Sequence, residues 1–181
     1  MFLLALILLV VGLTWYFLGV DGKVVIATTD NTMITPTTPT SLNWNNERLF
    51  LASSTGATAS QYGTWPGLPA DYCIDGDNNT VCHSGNVPDE NGVVWWEVDL
   101  KVPQDINRVE VVNRRDCCSE RITGAEIQFL DSQRKLLNSQ VFTGVQNIYD
   151  FSVRQTGIQY VRIEMRKTEP INLREVRLFV L

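Results

Sequence analysis

Two adjacent cysteines, Cys117 and Cys118, sit inside Asn113-Arg114-Arg115-Asp116-Cys117-Cys118-Ser119-Glu120-Arg121. Consecutive strand side chains point to opposite faces, so neighbouring cysteines make poor core partners. Bonded to each other, they close a small ring. Their Cα atoms lie about 3.8 Å apart across a trans peptide and about 2.9 Å across a cis one, below the usual range for a disulfide. Such a link forces a distorted or cis peptide, a form of strain that clusters at binding sites. It presents a hard apolar sulfur surface among Arg114, Arg121, Asp116 and Glu120. A flat apolar face beside charged hydrogen-bond donors suits a sugar ring. On charge alone, the same loop reads as a solvated ion-pair cluster.

Other chemistry is sparse. His83 is the single histidine. There is no nucleophile motif, no His-x-x-x-His pair and no Gly-rich phosphate loop, so the sequence is read as non-enzymatic. A carboxylate pair for glycoside hydrolysis is not excluded by counting, but nothing singles one out. The Asp75-Gly76-Asp77 loop offers oxygen ligands of the kind a hard cation takes. It also reads as a plain Asp-Gly turn capped by its own side chain. Asn78-Asn79-Thr80 is a glycosylation sequon in the same loop. With a net charge of −5 and no basic run, electrostatic binding of nucleic acid is not expected.

Short apolar runs at Val94–Leu100, Arg108–Val112, Ala125–Leu130, Leu136–Phe142, Tyr160–Arg166 and Glu175–Leu181 must position these groups. Val161, Ile163 and Met165 alternate with Arg162, Glu164 and Arg166, the period of half-buried antiparallel strands. Turn signals separate the runs, at Thr123-Gly124, Asp131-Ser132, Thr143-Gly144, Gln155-Thr156-Gly157 and Glu169-Pro170. The expected fold class is all-β, a sandwich or jelly roll over residues 42–181.

The N-terminus differs in kind. Phe2 to Val20 is almost wholly apolar without a charge. As a helix it spans roughly 28 Å, close to the hydrocarbon thickness of a bilayer. It lacks a basic n-region and exceeds the usual signal-peptide core. Residues 1–22 are therefore expected to be an uncleaved transmembrane anchor into a lipid bilayer. Residues 23–41 are expected to be a Thr/Pro-rich linker extending at about 3.1 Å per residue where Thr-Pro repeats.

The domain resembles the fucose-binding F-type lectins, within the discoidin-like, galactose-binding-like jelly rolls. The residues carrying the resemblance are Trp95-Trp96-Glu97-Val98-Asp99-Leu100, Ile106, Val109, Val111, the Asn113–Arg121 stretch and Gly124, with Cys73-Ile74-Asp75-Gly76-Asp77 and Cys82-His83-Ser84 upstream. It implies an eight-stranded jelly roll with binding loops at one end. It implies a sugar site in which His83, Arg114 and Arg121 bind fucose hydroxyls and ring oxygen, Asp116 stands between the arginines, and a Cys117–Cys118 disulfide packs on the sugar. It further implies a structural Ca2+ held by Asp75, Glu175 and backbone carbonyls at Asp77 and Tyr72, with Val81 where a hydroxyl ligand is common. Four cysteines allow three pairings, or four thiols in a reducing space. A Cys117–Cys118 bond leaves Cys73 with Cys82.

Two functional classes follow. One is a membrane-anchored lectin, as a single chain or an oligomer, facing an oxidising or extracellular space and binding fucosylated glycans. The other is a structural protein with a lectin-like fold, such as a membrane-anchored minor capsid protein of a membrane-containing large virus, docked to shell proteins in the virion. They differ in whether the Arg114–Arg121 pocket is open to solvent or filled by the 85–93 loop.

Overall fold

The computed structural model describes residues 15–18, 24–27 and 42–181. Two compact units divide at Leu42. In the first, β1 (Trp15–Leu18) pairs antiparallel with β2 (Val24–Ala27), Trp15 opposite Ala27 and Leu18 opposite Val24. The rest of the expected anchor (1–22) and linker (23–41) lies outside the described residues. Among the described residues no helix is long and apolar enough to cross a membrane.

The second unit, Asn43–Leu181, is all-β. It comprises β3 (Arg48–Phe50), β4 (Thr58–Gln61), β5 (Cys82–His83), β6 (Val94–Asn113), β7 (Glu126–Leu130), β8 (Leu136–Val141), β9 (Ile148–Met165) and β10 (Asn172–Val180), with a single-turn helix α1 (Ala52–Thr55) and a 3-10 turn at Ala70–Cys73. The hydrogen-bonded order is β3-β10-β6-β9-β7-β8, with β4 on β6 and β5 on β10. All these pairs are antiparallel.

β6 and β9 shape the molecule. They pair along most of their length, but the register shifts between Asp99 and Arg108. Lys101 and Arg154 adopt φ of 70° and 46° there. Bulges bend a ladder and increase its twist, so the pair folds the sheet over on itself. One layer joins Val94–Asp99 of β6 and Tyr160–Met165 of β9 to β4, β7 and β8. The other joins Arg108–Val112 and Ile148–Ser152 to β10 and β3. The result is an antiparallel sandwich of the discoidin-like type. Trp96, Val98 and Phe129 of one layer meet Val109, Val111 and Leu178 of the other in one core.

The expected alternation holds: Val161, Ile163 and Met165 are buried and Arg162, Glu164 and Arg166 are not. Two expectations need correction. Val94–Leu100 and Arg108–Val112 belong to one strand. Gln155-Thr156-Gly157 is no hairpin turn but part of the bulged stretch of β9, where Gly157 (φ 74°) donates its N–H to Asp105 Oδ1 at 3.1 Å. Glycine adopts that φ without a Cβ clash, so the turn signal marked a bend.

Candidate functional site

Loops at one end of the sandwich bring His83, Arg114 and Arg121 onto a single cavity of about 360 Å³, walled also by Trp65, Asn86 and Pro170. Each side chain reaches it from a different element.

His83 ends β5, a two-residue strand held on β10 with His83 opposite Asn172. Its backbone is fixed on both sides: its N–H donates to Leu68 O at 3.2 Å, and its carbonyl accepts from Trp65 N–H and Gln61 Nε2, each at 3.0 Å. The imidazole is buried, and Nδ1 lies 2.7 Å from Ser84 O. A carbonyl only accepts, so Nδ1 carries the proton and Nε2 is left as an acceptor. Burial pushes the His83 pKa below its ordinary 6.5, and the charges of Arg114 and Arg121 lower it further, against the Ser84 hydrogen bond. The ring is therefore neutral at pH 7. Trp65 leans on it, ring centroids 5.4 Å apart and tilted 49°.

The Trp65 and His83 segments are set by a backbone approach. Gly85 N–H donates to Tyr62 O at 3.0 Å, and Gly63 has φ 64°. A Cβ on Gly63 would stand 3.0 Å from Gly85 Cα, and one on Gly85 would stand 3.2 Å from Gly63 Cα. A side chain at either position would push the two backbone segments apart by a few tenths of an ångström.

Arg114 follows the end of β6. Buried Asn113 shapes its loop by donating Nδ2 to Ser119 O at 2.9 Å and to Gln146 O at 3.0 Å, while Asn113 Oδ1 accepts from Arg114 N–H at 2.9 Å. Asp116 takes the Arg114 guanidinium in a fork, Nε at 3.1 Å and Nη2 at 2.8 Å. That pairing holds the Asp116 carboxyl down at about 2. The second partner of Asp116 is Arg174 Nη2, at 3.1 Å. Glu120 forms no ion pair among the described residues. Arg121 enters from a turn in which its N–H donates to Cys118 O at 3.2 Å.

Cys117 and Cys118 carry free thiols and all described peptides are trans, so the small ring expected between them is absent here. Cys118 has φ 63°, and a hydrogen bond to it pushes the Cys117 thiol up. Neither residue lines the cavity. Cys73 and Cys82 do form a disulfide, Cα atoms 5.4 Å apart. It ties the 3-10 turn to β5. The 85–93 loop contributes only Asn86 to the cavity. Asp89 turns back to accept from Asn91 and Val93 N–H, at 2.8 and 3.1 Å, and does not engage the arginines.

The 72–80 loop forms a second polar centre. Thr80 Oγ lies 3.1 Å from Tyr72 O, 2.9 Å from Asp75 Oδ2 and 2.8 Å from Asp77 O. Asp77 O also accepts from Thr80 N–H at 3.2 Å and Asp75 Oδ1 from Asp77 N–H at 2.8 Å, so the loop gathers backbone, carboxylate and hydroxyl oxygens in one place. The hydroxyl comes from Thr80, one position before Val81. The Asp77 side chain turns away to Asn79, which leaves its carbonyl facing inward. Glu175, 2% exposed, accepts from Gly76 N–H at 3.1 Å. Burial and the nearby Asp75 carboxylate push it up to about 7. No group of three or more His, Cys, Asp or Glu side chains converges on a metal position among the described residues. The oxygen set here is half backbone, the mixture a hard cation such as Ca2+ accepts.

From sequence Trp65 stands only as an exposed rim or contact residue, Asn113 only as the first residue of the cysteine stretch, and Arg174 has no role. Asn113 and Arg174 carry no local signal of their role, which arises from contacts over distances in sequence of up to 96 residues. Trp65 is 55% exposed, and its isolation among Gly and Pro was a usable sign.

A family model described as a NedA-like, galactose-binding domain of the F5/F8 type C class matches residues 72–163. Fucolectin-6 of Anguilla japonica is 33% identical over 123 residues, covering 63% of this chain and 65% of that relative, so the chain spans just under two thirds of it. Fucolectin-5 of the same eel is 35% identical over 134 residues, covering 66% and 68%. Among solved structures, a His 62 mutant of the lectin-binding domain of lectinolysin, complexed with Lewis b, superposes with a TM-score of 0.63 at 25% identity, covering 68% of this chain and 92% of that one.

Proposed function

The chain belongs to the F-type lectin family, among the discoidin-like domains, and from that premise we propose that it is a non-catalytic lectin for fucose-type glycans. The observation that carries this is the meeting of His83, Arg114 and Arg121 at one cavity open to solvent. Neutral His83 offers Nε2 to a sugar hydroxyl. Arg114 and Arg121 donate to hydroxyl and ring oxygens. The exposed Trp65 ring supplies apolar surface for the C–H face of a sugar. The clamp of Asp116 on Arg114 orders a donor before the ligand arrives, which lowers the entropy cost of binding. Fucolectin relatives and the Lewis b complex support the same ligand class.

Tyr72 O, Asp75, Asp77 O, Thr80 and Glu175 would hold Ca2+, whose charge would fix the loop that packs beside β5. Oxidation of Cys117 with Cys118 would add an apolar edge near the arginines. The Phe2–Val20 run supports attachment to a membrane, and the Cys73–Cys82 bond supports an oxidising space for the domain. Many copies on one surface would raise the avidity of a weak single site. The shell-protein reading has no matching observation, since the 85–93 loop leaves the cavity open.

The test is a glycan array probed with the detergent-solubilised full chain, with and without calcium, beside Arg114→Ala. Binding to fucosylated glycans that Arg114→Ala loses is expected. A blank array from folded, Cys73–Cys82-bonded protein would sink the proposal.

A further inference from the structure

Arg174 connects the two polar centres. It lies on β10, where Leu173 opposes Asn113 of β6 but Glu175 opposes Val112, so Arg174 is the extra residue of a bulge. Bulges re-aim side chains beside functional sites. Here the guanidinium reaches both ways: Nη1 donates to Asn78 O at 2.7 Å, and Nη2 donates to Asp116 Oδ1 at 3.1 Å. Asn78 lies in the loop whose oxygens surround Thr80. Asp116 is the clamp on Arg114 at the cavity. The next residue, Glu175, ties to the same loop by accepting from Gly76 N–H at 3.1 Å.

The arrangement is not simply a stabilising ion pair. Arg174 Nε is buried without a hydrogen-bond partner, although only 20% of the side chain is exposed. A buried unmet donor costs stability. The fork spends its two terminal nitrogens on two separate loops, which a lysine ammonium on a flexible stem does not match in geometry.

We propose that Arg174 is a positioning residue that couples the 72–80 loop to the sugar pocket. Its premise is the lectin reading with a hard cation in that loop. A cation drawing Tyr72 O, Asp75 and Asp77 O together fixes the adjacent Asn78 carbonyl. That carbonyl holds Arg174, Arg174 holds Asp116, and Asp116 holds Arg114 in its donor geometry. By linkage, sugar at Arg114 tightens the cation by the same factor that the cation tightens sugar.

Calorimetric titration of the full chain tests both directions. L-fucose is titrated in calcium and in chelator, and calcium is titrated with and without saturating L-fucose. In the wild type each affinity is expected to rise at least about fivefold when the other ligand is present, with equal factors. In Arg174→Ala both factors fall below about twofold, while calcium still binds and the β-rich circular dichroism spectrum persists. Arg174→Lys, which keeps the charge and stem if the alanine variant fails to fold, gives the same loss of coupling. Wild-type affinities that ignore the other ligand, or an Arg174 variant that keeps the full factor, would overturn the coupling and leave the lectin reading intact. Wild-type protein that binds no fucose in either condition would overturn both.

Discussion

Acidification acts inside the sugar pocket through His83, and on the 72–80 loop through Glu175, pushed up to about 7. On the proposed lectin reading, His83 accepts from a sugar hydroxyl only while Nε2 is unprotonated, and its pKa lies below 6.5. Asp116, held at about 2, stays charged throughout the range between pH 7.5 and 4.5, as does Arg114, whose pKa its Asp116 hydrogen bond raises. If His83 titrated at 6.5, affinity at pH 5.5 would fall about tenfold. A pKa below that value makes the loss smaller at pH 5.5 and moves it toward lower pH. Stability follows the same sign. The unfolded chain takes up its proton near 6.5 and the folded chain only lower, so stability is full above 6.5 and is lost as pH falls through the folded value. Fluorescence of Trp65, with its ring centroid 5.4 Å from that of His83, reports binding across the range. His83→Gln loses about 0.5–1.5 kcal/mol of binding, roughly two- to twelvefold, and its remaining affinity no longer follows the histidine titration. Affinity that stays flat to pH 4.5 in the wild type, or a midpoint above 6.5, would refute the neutral-acceptor role. An unchanged pH profile in His83→Gln would assign the titration elsewhere.

Asp116→Asn removes the charge that clamps Arg114 but keeps the shape. Because Asp116 is 51% exposed, stability changes by at most about 1 kcal/mol. Fucose affinity measured by calorimetry falls by about 0.5–1.5 kcal/mol, the cost of ordering one freed side chain. Replacing Cys73 and Cys82 by serine opens a loop of separation 9, which lowers the unfolding free energy by about 2.5 kcal/mol in urea titrations. Trp96→Phe removes the indole N–H that donates to Ala70 O at 3.0 Å in the core. The stranded carbonyl and the cavity together cost about 2–4 kcal/mol by the same assay.

Burial of alternate residues was legible wherever a strand has one wet face, as at Val161, Ile163 and Met165. The Arg114–Arg121 loop and His83 were legible as residue types and spacing. Strands β3, β4 and β5 were not, because runs as short as Thr58–Gln61 carry no period and form only on a partner. The part of β9 from Ile148 to Gln159 was hidden by the Gln155–Gly157 turn signal, since a bulge and a hairpin ask for the same glycine. Val81 was the expected site of a hydroxyl, yet Thr80 supplies it, a one-residue offset that only the loop path decides. The sequon was legible but its setting was not: Asn78 Oδ1 accepts from Arg177 Nη2 at 2.7 Å and the Thr80 hydroxyl is engaged by its loop. A glycan attached there would have to displace both after folding.

The contact between Gly63 and Gly85 limits how the binding preference of this protein can drift. Any side chain at either position wedges apart the two segments that carry Trp65 and His83, so the mouth of the pocket resists widening by single substitutions there. New ligand preferences, whether selected in nature or by a designer, are cheaper to obtain by exchanging rim residues such as Asn86, Pro170 or Trp65 on an unchanged frame. Libraries that keep both glycines fixed should therefore return more folded binders than libraries that vary them.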